Sequence, residues 1–106
     1  MAAMTANALE PWQFSSAEGE ANYHRALREY PAQVIVDLRA IRDNMRHLVD
    51  VTNREGAPTE VMGVVKADAY GHGLVPVALA ALAGGATWLG VAQAREALAL
   101  RVAGIG

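Results

Sequence analysis

Strand-like and helix-like segments alternate along most of the chain, and this order restricts the possible folds more than any other feature. From residue 32 the pattern runs strand, helix, strand, helix, strand, helix, with about 27 residues from Val61 to Trp88 for one unit. Such alternation is typical of a parallel α/β sheet with right-handed crossovers. An open doubly wound sheet and a (β/α)8 barrel both satisfy it, and both bind ligands at the C-terminal ends of their strands.

The segments follow from side-chain patterns and from the residues that interrupt them. The expected strands are "AQVIVDL" (32–38), "EVMGVVK" (60–66) and "TWLGVA" (87–92), and the middle one is apolar on both faces, as a strand covered by helices should be. Asp37 is suited to cap a first helix, which should end at Gly56. The other helices are "LVPVALAALA" (74–83) and "QAREALALRVA" (93–103).

Chain length separates the two architectures only in part. A barrel usually takes about 250 residues, whereas these 106 residues have room for two or three of its eight strands. If the fold is a barrel, we expect its incomplete N-terminal part. Residues 1–31 differ in pattern and predict an N-terminal extension with one short surface helix, which places Tyr23, Leu27 and Tyr30 at helical spacing and ends before Pro31.

Composition excludes several classes of function. The net charge of −2, the pI near 5.8 and the lack of a Lys or Arg cluster argue against nucleic acid and anionic membranes as partners. The chain has no cysteine for a disulfide or a thiolate metal site. Its N-terminus does not resemble a secretory signal, and its longest apolar stretch is interrupted by Pro76, so we expect a cytoplasmic protein.

Lys66 is the only lysine in the chain, because eight of the nine basic residues are arginines, and it ends the apolar run "GVVK". Its ammonium could simply extend out of a crowded strand edge. Alternatively, partial desolvation could leave a useful fraction of the amine neutral, able to attack a carbonyl and form a Schiff base. Val64, Val65 and the glycine-rich turn that follows favour the second interpretation, although position alone leaves both open.

The segment "ADAYGHG" after Lys66 carries further candidate residues. Tyr70 could donate its hydroxyl to a phosphate or carboxylate, or pack its ring on a helix. Gly71 and Gly73 could admit an anion close to the backbone or simply make the turn. His72 is expected to be a turn residue or a supporting donor, and no metal site is expected, since no second histidine stands at ligand spacing. Asp68 should fix the loop through the backbone, as Asp does in turns.

The motif "VVKADAYGHG" resembles the pyridoxal 5′-phosphate (PLP) attachment motif of bacterial alanine racemases. The segments "VDLRAIRDNMRHL" and "GATWLGVAQAREALALRVAGI" on either side are similar to the flanking segments of the same family. The resemblance covers about residues 33–106. Many members have asparagine where this chain has Asp68, although aspartate also occurs.

The resemblance implies an N-terminal (β/α)8 barrel followed by a β domain, with an active site that a second subunit completes in a homodimer. It implies that Lys66 holds PLP covalently and is catalytic, serving as base on one face of the substrate Cα, and that Tyr70 binds the cofactor phosphate. A tyrosine from the other subunit serves on the opposite face, and no residue here matches it. The implied reaction interconverts L- and D-alanine and supplies D-alanine for peptidoglycan.

Other functions remain as alternatives to an alanine racemase. A broad-specificity amino-acid racemase is the nearest of them. Decarboxylases on the same barrel typically lack the "AYGHG" continuation, and PLP carriers of similar barrel type have a different sequence after the lysine. The third class is a PLP-binding barrel protein without catalytic activity, and the 106 residues alone are expected to be inactive.

Overall fold

The structure is a computed structural model, and it describes residues 14–29, 32, 34–56 and 58–106. The chain divides into two compact units, one up to Val36 and the other Asp37–Gly106. The second unit contains the sheet and the motif around Lys66.

Among the described residues of the first unit is the helix α1 (Ala17–Arg28). The Ser16 hydroxyl caps it by accepting a hydrogen bond from the Gly19 N–H at 3.0 Å. Acidic residues lie in its first turn and arginines in its last, which matches the helix dipole. The Tyr23 ring on this helix contacts two others, with centroids 5.1 Å from that of Phe14 and 5.5 Å from that of His24. The predicted short helix is confirmed, while Tyr30 and Pro31 lie outside the described residues.

The predicted first strand, "AQVIVDL", is wrong for the part that the structure describes. Residues 34–37 have no strand assignment, and Leu38 already begins a helix. Val34 and Ile35 are largely exposed. A strand exists only where its backbone pairs with a neighbour, and the sheet in the described residues consists of two other segments. The β-branched residues favour an extended strand locally, but they do not determine whether a neighbouring strand is there to pair with.

The second unit alternates helices and strands as expected. Its elements are α2 (Leu38–Thr52), β1 (Met62–Val64), α3 (Lys66–Tyr70), α4 (Leu74–Ala83), β2 (Trp88–Gly90) and α5 (Ala94–Val102). Of these, α3 is a short left-handed turn rather than a right-handed helix, because residues 67–70 have positive φ. β1 and β2 pair in parallel, with Met62 opposite Trp88 and Val64 opposite Gly90. The predicted α/β class with parallel strands is therefore confirmed.

Helix α2 begins as expected but ends earlier. Asp37 caps α2 as predicted, because its carboxylate accepts from the N–H groups of Arg39 and Ala40. However, α2 ends at Thr52 rather than at Gly56. Asn53 ends it by donating its side-chain amide to the Val49 carbonyl and accepting from the Thr59 N–H, so an amide side chain closes the turn before the glycine is reached.

The core of the second unit is built largely from small side chains. One cluster of buried residues comprises Val65, Ala69, Ala78, Leu100 and Ile105, and partly buried aliphatic residues, most of them in α4, pack against it. Ala80, Ala81 and Ala86 are buried as well. Gly63 in β1 and Val65 directly after the strand are buried, whereas Met62 and Val64 on the other face are about half exposed. The expected burial of both faces is therefore not provided by the described residues.

Helices α2 and α4 meet at a glycine. A Cβ atom on Gly84 would lie 2.5 Å from the Arg42 carbonyl oxygen and 2.7 Å from the Met45 Cβ. Gly85 likewise lies against Val49. Close approach of this kind lets α2 cover the end of α4, which in turn packs on β1. As for membranes, the described residues include no helix with the length and apolar character needed to cross one.

We predict that Gly84→Ala destabilises the chain by about 1–3 kcal/mol, the usual cost of overpacking a core. Gly84 has an ordinary right-handed backbone, with φ of −80°, so alanine adds no strain there and the effect reports crowding against α2. Urea unfolding followed by circular dichroism measures the change. Ala83→Ser, at the exposed neighbouring position, is the control. Equal unfolding midpoints for the two variants would contradict the close helix contact.

Candidate functional site

Lys66 lies at the C-terminal edge of the two-stranded sheet. β1 ends at Val64, and the Val65 N–H extends the pairing by donating to the Gly90 carbonyl of β2 at 2.8 Å. The Val65 side chain is fully buried, which fixes the backbone immediately before the lysine. Lys66, predicted to end the strand, therefore lies just beyond it, on the predicted edge where parallel α/β folds bind ligands.

The backbone after Lys66 is left-handed over four residues. Ala67, Asp68, Ala69 and Tyr70 all have φ between 52° and 58°. L-residues avoid this region, at a cost of roughly 1–2 kcal/mol per residue, and normally enter it singly. The sequence predicted a loop here, and the structure shows a compact left-handed turn that surrounding contacts must hold.

Backbone hydrogen bonds close this turn from within. The Ala69 N–H donates to the Val65 carbonyl at 2.9 Å, and the Gly71 N–H donates to the Ala67 carbonyl at 3.1 Å. The Gly73 N–H then donates to the Asp68 carbonyl at 2.9 Å. The Ala69 side chain is buried in the core, so the turn is also anchored by packing.

Asp68 joins the turn to the next helix. One of its carboxylate oxygens accepts from the N–H of Leu74, the first residue of α4, at 2.8 Å. This contact satisfies one of the free donors at the start of α4. The expectation that Asp68 fixes the loop through the backbone is confirmed, and asparagine could accept the same bond through its side-chain oxygen.

The turn brings the two predicted site residues together. The Lys66 Nζ lies 5.8 Å from the centroid of the Tyr70 ring. Both side chains are exposed, and Tyr70 retains 61% of its accessible surface. The described residues therefore do not provide the desolvation of Lys66 that its apolar neighbours suggested. They instead present an amine and a phenol side by side at the edge of the sheet.

Gly71, Gly73 and His72 support the turn. Gly71 and Gly73 have φ of 85° and 101°, a region that residues with a side chain rarely adopt. A Cβ on Gly71 would meet no atom within 4 Å, so glycine is needed there for its backbone conformation and not for lack of space. His72 Nδ1 lies 3.0 Å from the Ala69 carbonyl oxygen and can donate to it in the Nδ1-protonated tautomer. His72 is thus a turn residue, one of the two roles expected for it.

Glu96 in α5 is a residue of this site that the sequence interpretation missed. Its Oε1 accepts from the Ala67 N–H at 2.8 Å, although the two residues are 29 positions apart. Its Oε2 accepts from the N–H groups of Ala92 and Gln93 at 2.9 and 3.0 Å. The glutamate three residues after Gln93 was a visible helix-start signal, but the contact with Ala67 depends on the parallel pairing of β1 and β2.

The environment of Glu96 favours its ionised form. The hydrogen bond from the Ala67 N–H lowers the pKa of the Glu96 carboxyl most, and those from Ala92 and Gln93 lower it further. Partial desolvation opposes this effect, while the nearby Arg95 adds to it. An ionised carboxylate accepts hydrogen bonds through both oxygens, which is what three backbone donors require.

The other histidines, His24 and His47, are on helices α1 and α2. His24 Nε2 is 3.7 Å from Glu20 Oε1 on α1, and His47 is exposed on α2. Within the residues that the structure describes, no three His, Asp or Glu side chains are grouped closely enough to hold a metal ion. The side chains gathered beyond β1 are therefore an amine, a phenol and two carboxylates that bind backbone.

The sequence of the second unit matches a known protein family. Residues 36–106 match the family described as alanine racemase, N-terminal domain. The alanine racemase of Beutenbergia cavernae is 63% identical over 76 residues, which is 72% of this chain and 19% of that protein. The alanine racemase of Thermobifida fusca is 58% identical over 74 residues, covering 70% of this chain and 19% of that protein.

Solved structures agree with the sequence matches. The alanine racemase of a D-cycloserine-producing Streptomyces lavendulae superposes with a TM-score of 0.59 at 48% identity, covering 67% of this chain and 18% of that one. The alanine racemase of Bacillus anthracis, solved with bound L-Ala-P, superposes with a TM-score of 0.57 at 46% identity, covering 71% and 20%.

The chain thus spans about a fifth of the length of the relatives that it matches. The region shared with them is the N-terminal part of the family's barrel, so the prediction of an incomplete (β/α)8 barrel is confirmed. The family resemblance inferred from "VVKADAYGHG" is confirmed as well. With its whole second unit inside the match, this chain belongs to the alanine racemase N-terminal domain family.

Proposed function

We propose that the protein to which this chain belongs is a PLP-dependent racemase that interconverts L- and D-alanine, an isomerase supplying D-alanine for peptidoglycan. The observation that carries this proposal is the placement of the sole lysine. Lys66 follows β1 with only Val65 between them, and the left-handed turn sets Tyr70 beside it, in a chain of the alanine racemase family. The relatives named alanine racemase support alanine as the substrate.

The side chains present at the sheet edge suit PLP. An exposed primary amine can bond covalently to an aldehyde, and Lys66 is the only lysine that residues 1–106 offer. An exposed phenol can donate to a phosphate oxygen, and Tyr70 lies on the same turn. Lys66 would hold the cofactor covalently, and Tyr70 would bind its phosphate.

Bound PLP supplies an electron sink that makes the α-proton of an amino acid removable. Lys66, once its amine is free, would take or return that proton on one face of the substrate Cα. Buried Val65 fixes the backbone before Lys66 and the left-handed turn fixes it afterwards, which limits the directions that the amine can reach. The base for the opposite face would come from a tyrosine of a second subunit, which makes the proposed enzyme a homodimer.

Several further assignments are proposed together with the reaction. Residues 1–31 form an N-terminal extension, and residues 32–106 supply the first β/α units of the PLP-binding barrel. The cytoplasm is the proposed location. A broad-specificity amino-acid racemase is the second candidate, because the residues that select the substrate side chain in such enzymes would lie outside the described turn. Chiral assays with alanine, serine and lysine separate the two candidates.

We predict that PLP attaches to Lys66 in the protein expressed from the full reading frame. Borohydride reduction followed by peptide mapping should place the label on the peptide that contains Lys66. Within residues 1–106 the N-terminal amine is the only other primary amine, and acetylating it removes that competitor. Lys66→Arg keeps the positive charge but should lose the label, because a guanidinium stays protonated. A label that persists in Lys66→Arg would overturn the assignment.

We predict that Tyr70→Phe weakens PLP retention more than it slows proton exchange at Cα. A hydrogen bond to a charged phosphate is worth about 1.5–3 kcal/mol, so PLP dissociation should become roughly 10- to 150-fold more favourable. Equilibrium dialysis gives the affinity, and single-turnover exchange of the α-proton in D2O gives the chemical step. Unchanged retention with a large loss of exchange would place Tyr70 in the chemistry instead.

We predict that residues 1–106 expressed alone do not racemise alanine. Racemisation requires proton removal on one face and delivery on the other, and Lys66 serves one face only. A positioned acid or base contributes about 10²–10⁴-fold, so turnover with added PLP should fall to that of free PLP. Chiral chromatography of D-alanine measures it, with Lys66→Ala as the control. Turnover clearly above that control would contradict the need for further segments.

A further inference from the structure

We propose that Glu96 is a positioning residue for Lys66, acting through the backbone of the left-handed turn; the inference rests on the proposed function. Its Oε1 accepts the N–H of Ala67, the residue that immediately follows the lysine. That bond crosses from α5 to the turn, whereas the bonds from Ala69, Gly71 and Gly73 run within the turn and its flanks. Glu96 therefore ties the turn to an element beyond β2.

The turn needs a stabilising contact from outside because its left-handed backbone conformation is unfavourable for L-residues. Ala67 is the first of four consecutive residues at positive φ, and two of the four are alanines, which have no side-chain polar group to stabilise that conformation locally. Released from Glu96, the Ala67 peptide could rotate toward the right-handed or extended region. Such a rotation would redirect the Lys66 side chain relative to Tyr70.

The geometry at Glu96 exceeds what a helix cap needs. One oxygen, Oε2, already satisfies the N–H groups of Ala92 and Gln93 at the start of α5. The second oxygen is left for the turn, so a single carboxylate joins the segment after β2 to the segment after β1. The lowered pKa of Glu96 keeps both oxygens available as acceptors.

Glu96→Gln separates this role from helix capping. An amide has one acceptor oxygen, so it can keep the α5 donors or the Ala67 donor but not both. Ala99→Gly is the matched control, because it weakens α5 at an exposed position, at a cost of about 1 kcal/mol, and makes no contact with the carboxylate. Glu96→Asp, which keeps the charge but shortens the reach, is the second variant should Glu96→Gln fail to fold.

The first measurement is amide hydrogen exchange in the protein expressed from the full reading frame, read on peptides that cover residues 64–73. Loss of a hydrogen bond to a charged acceptor should speed exchange at the turn about tenfold or more in Glu96→Gln or Glu96→Asp. Ala99→Gly should leave the exchange rate at the turn within about twofold of the wild-type rate. Exchange at the turn that matches wild type in the Glu96 variants would overturn the inference.

The second measurement compares PLP with pyridoxamine 5′-phosphate, which has the same phosphate but no aldehyde. In covalent attachment the lysine nitrogen bonds to the aldehyde carbon of PLP and water leaves. Borohydride-trapped labelling of Lys66 at saturating PLP should slow about tenfold in Glu96→Gln, while affinity for the pyridoxamine form changes by less than about threefold. Equal losses in labelling and affinity, or losses matched by Ala99→Gly, would overturn the positioning role.

The outcomes of the two measurements distinguish a wrong function from a wrong role for Glu96. If wild-type protein takes no label on Lys66, the proposed function is contradicted, and the exchange measurement alone then decides whether Glu96 holds the turn. If wild type is labelled and the Glu96 variants behave as Ala99→Gly does, the proposed function stands and the positioning role is rejected.

Discussion

The left-handed backbone from Ala67 to Tyr70 is the constraint on which the candidate site depends. Four successive L-residues in this region cost roughly 1–2 kcal/mol each relative to right-handed backbone, so the conformation persists only where neighbouring groups hold it. Val65 anchors the turn at its start, Asp68 ties it to α4, and Glu96 ties it to α5. The Lys66 amine and the Tyr70 phenol face the same region because of these contacts.

The parallel sheet positions the segments that make those contacts. Pairing of β1 with β2 sets the segment after Val64 beside the segment after Gly90, and this proximity brings Glu96 within reach of Ala67. Small residues allow the helices and the sheet to pack closely. Gly63 lies against Ala81, and Gly84 lies against α2, so the helices approach the sheet and each other closely. A change that widens these contacts would move the edge that carries Lys66.

In the part of the chain that the structure describes, the candidate site is exposed to solvent. Lys66 and Tyr70 are exposed, and the face of β1 that carries Met62 and Val64 is about half exposed. A site of the proposed kind requires exclusion of water and a second base, and neither is found among the described residues. Both belong to further strands and a partner subunit under the proposed function, in keeping with a chain that spans about a fifth of its relatives.

The sequence by itself determined the α/β class, the helix bounds of α4 and the cap at Asp37, because these depend on local periodicity and on single residues at helix ends. It also determined the family, because "VVKADAYGHG" is a specific motif, and it singled out Lys66 and Tyr70, whose roles stay predictions. Residues 34–37 show its limit, since a strand needs a partner that local pattern cannot supply. Tertiary structure alone decided the contact of Glu96 with Ala67, because the parallel sheet brings their two segments together. It also decided the left-handed turn, because contacts with α4 and α5 hold a backbone conformation that L-residues disfavour.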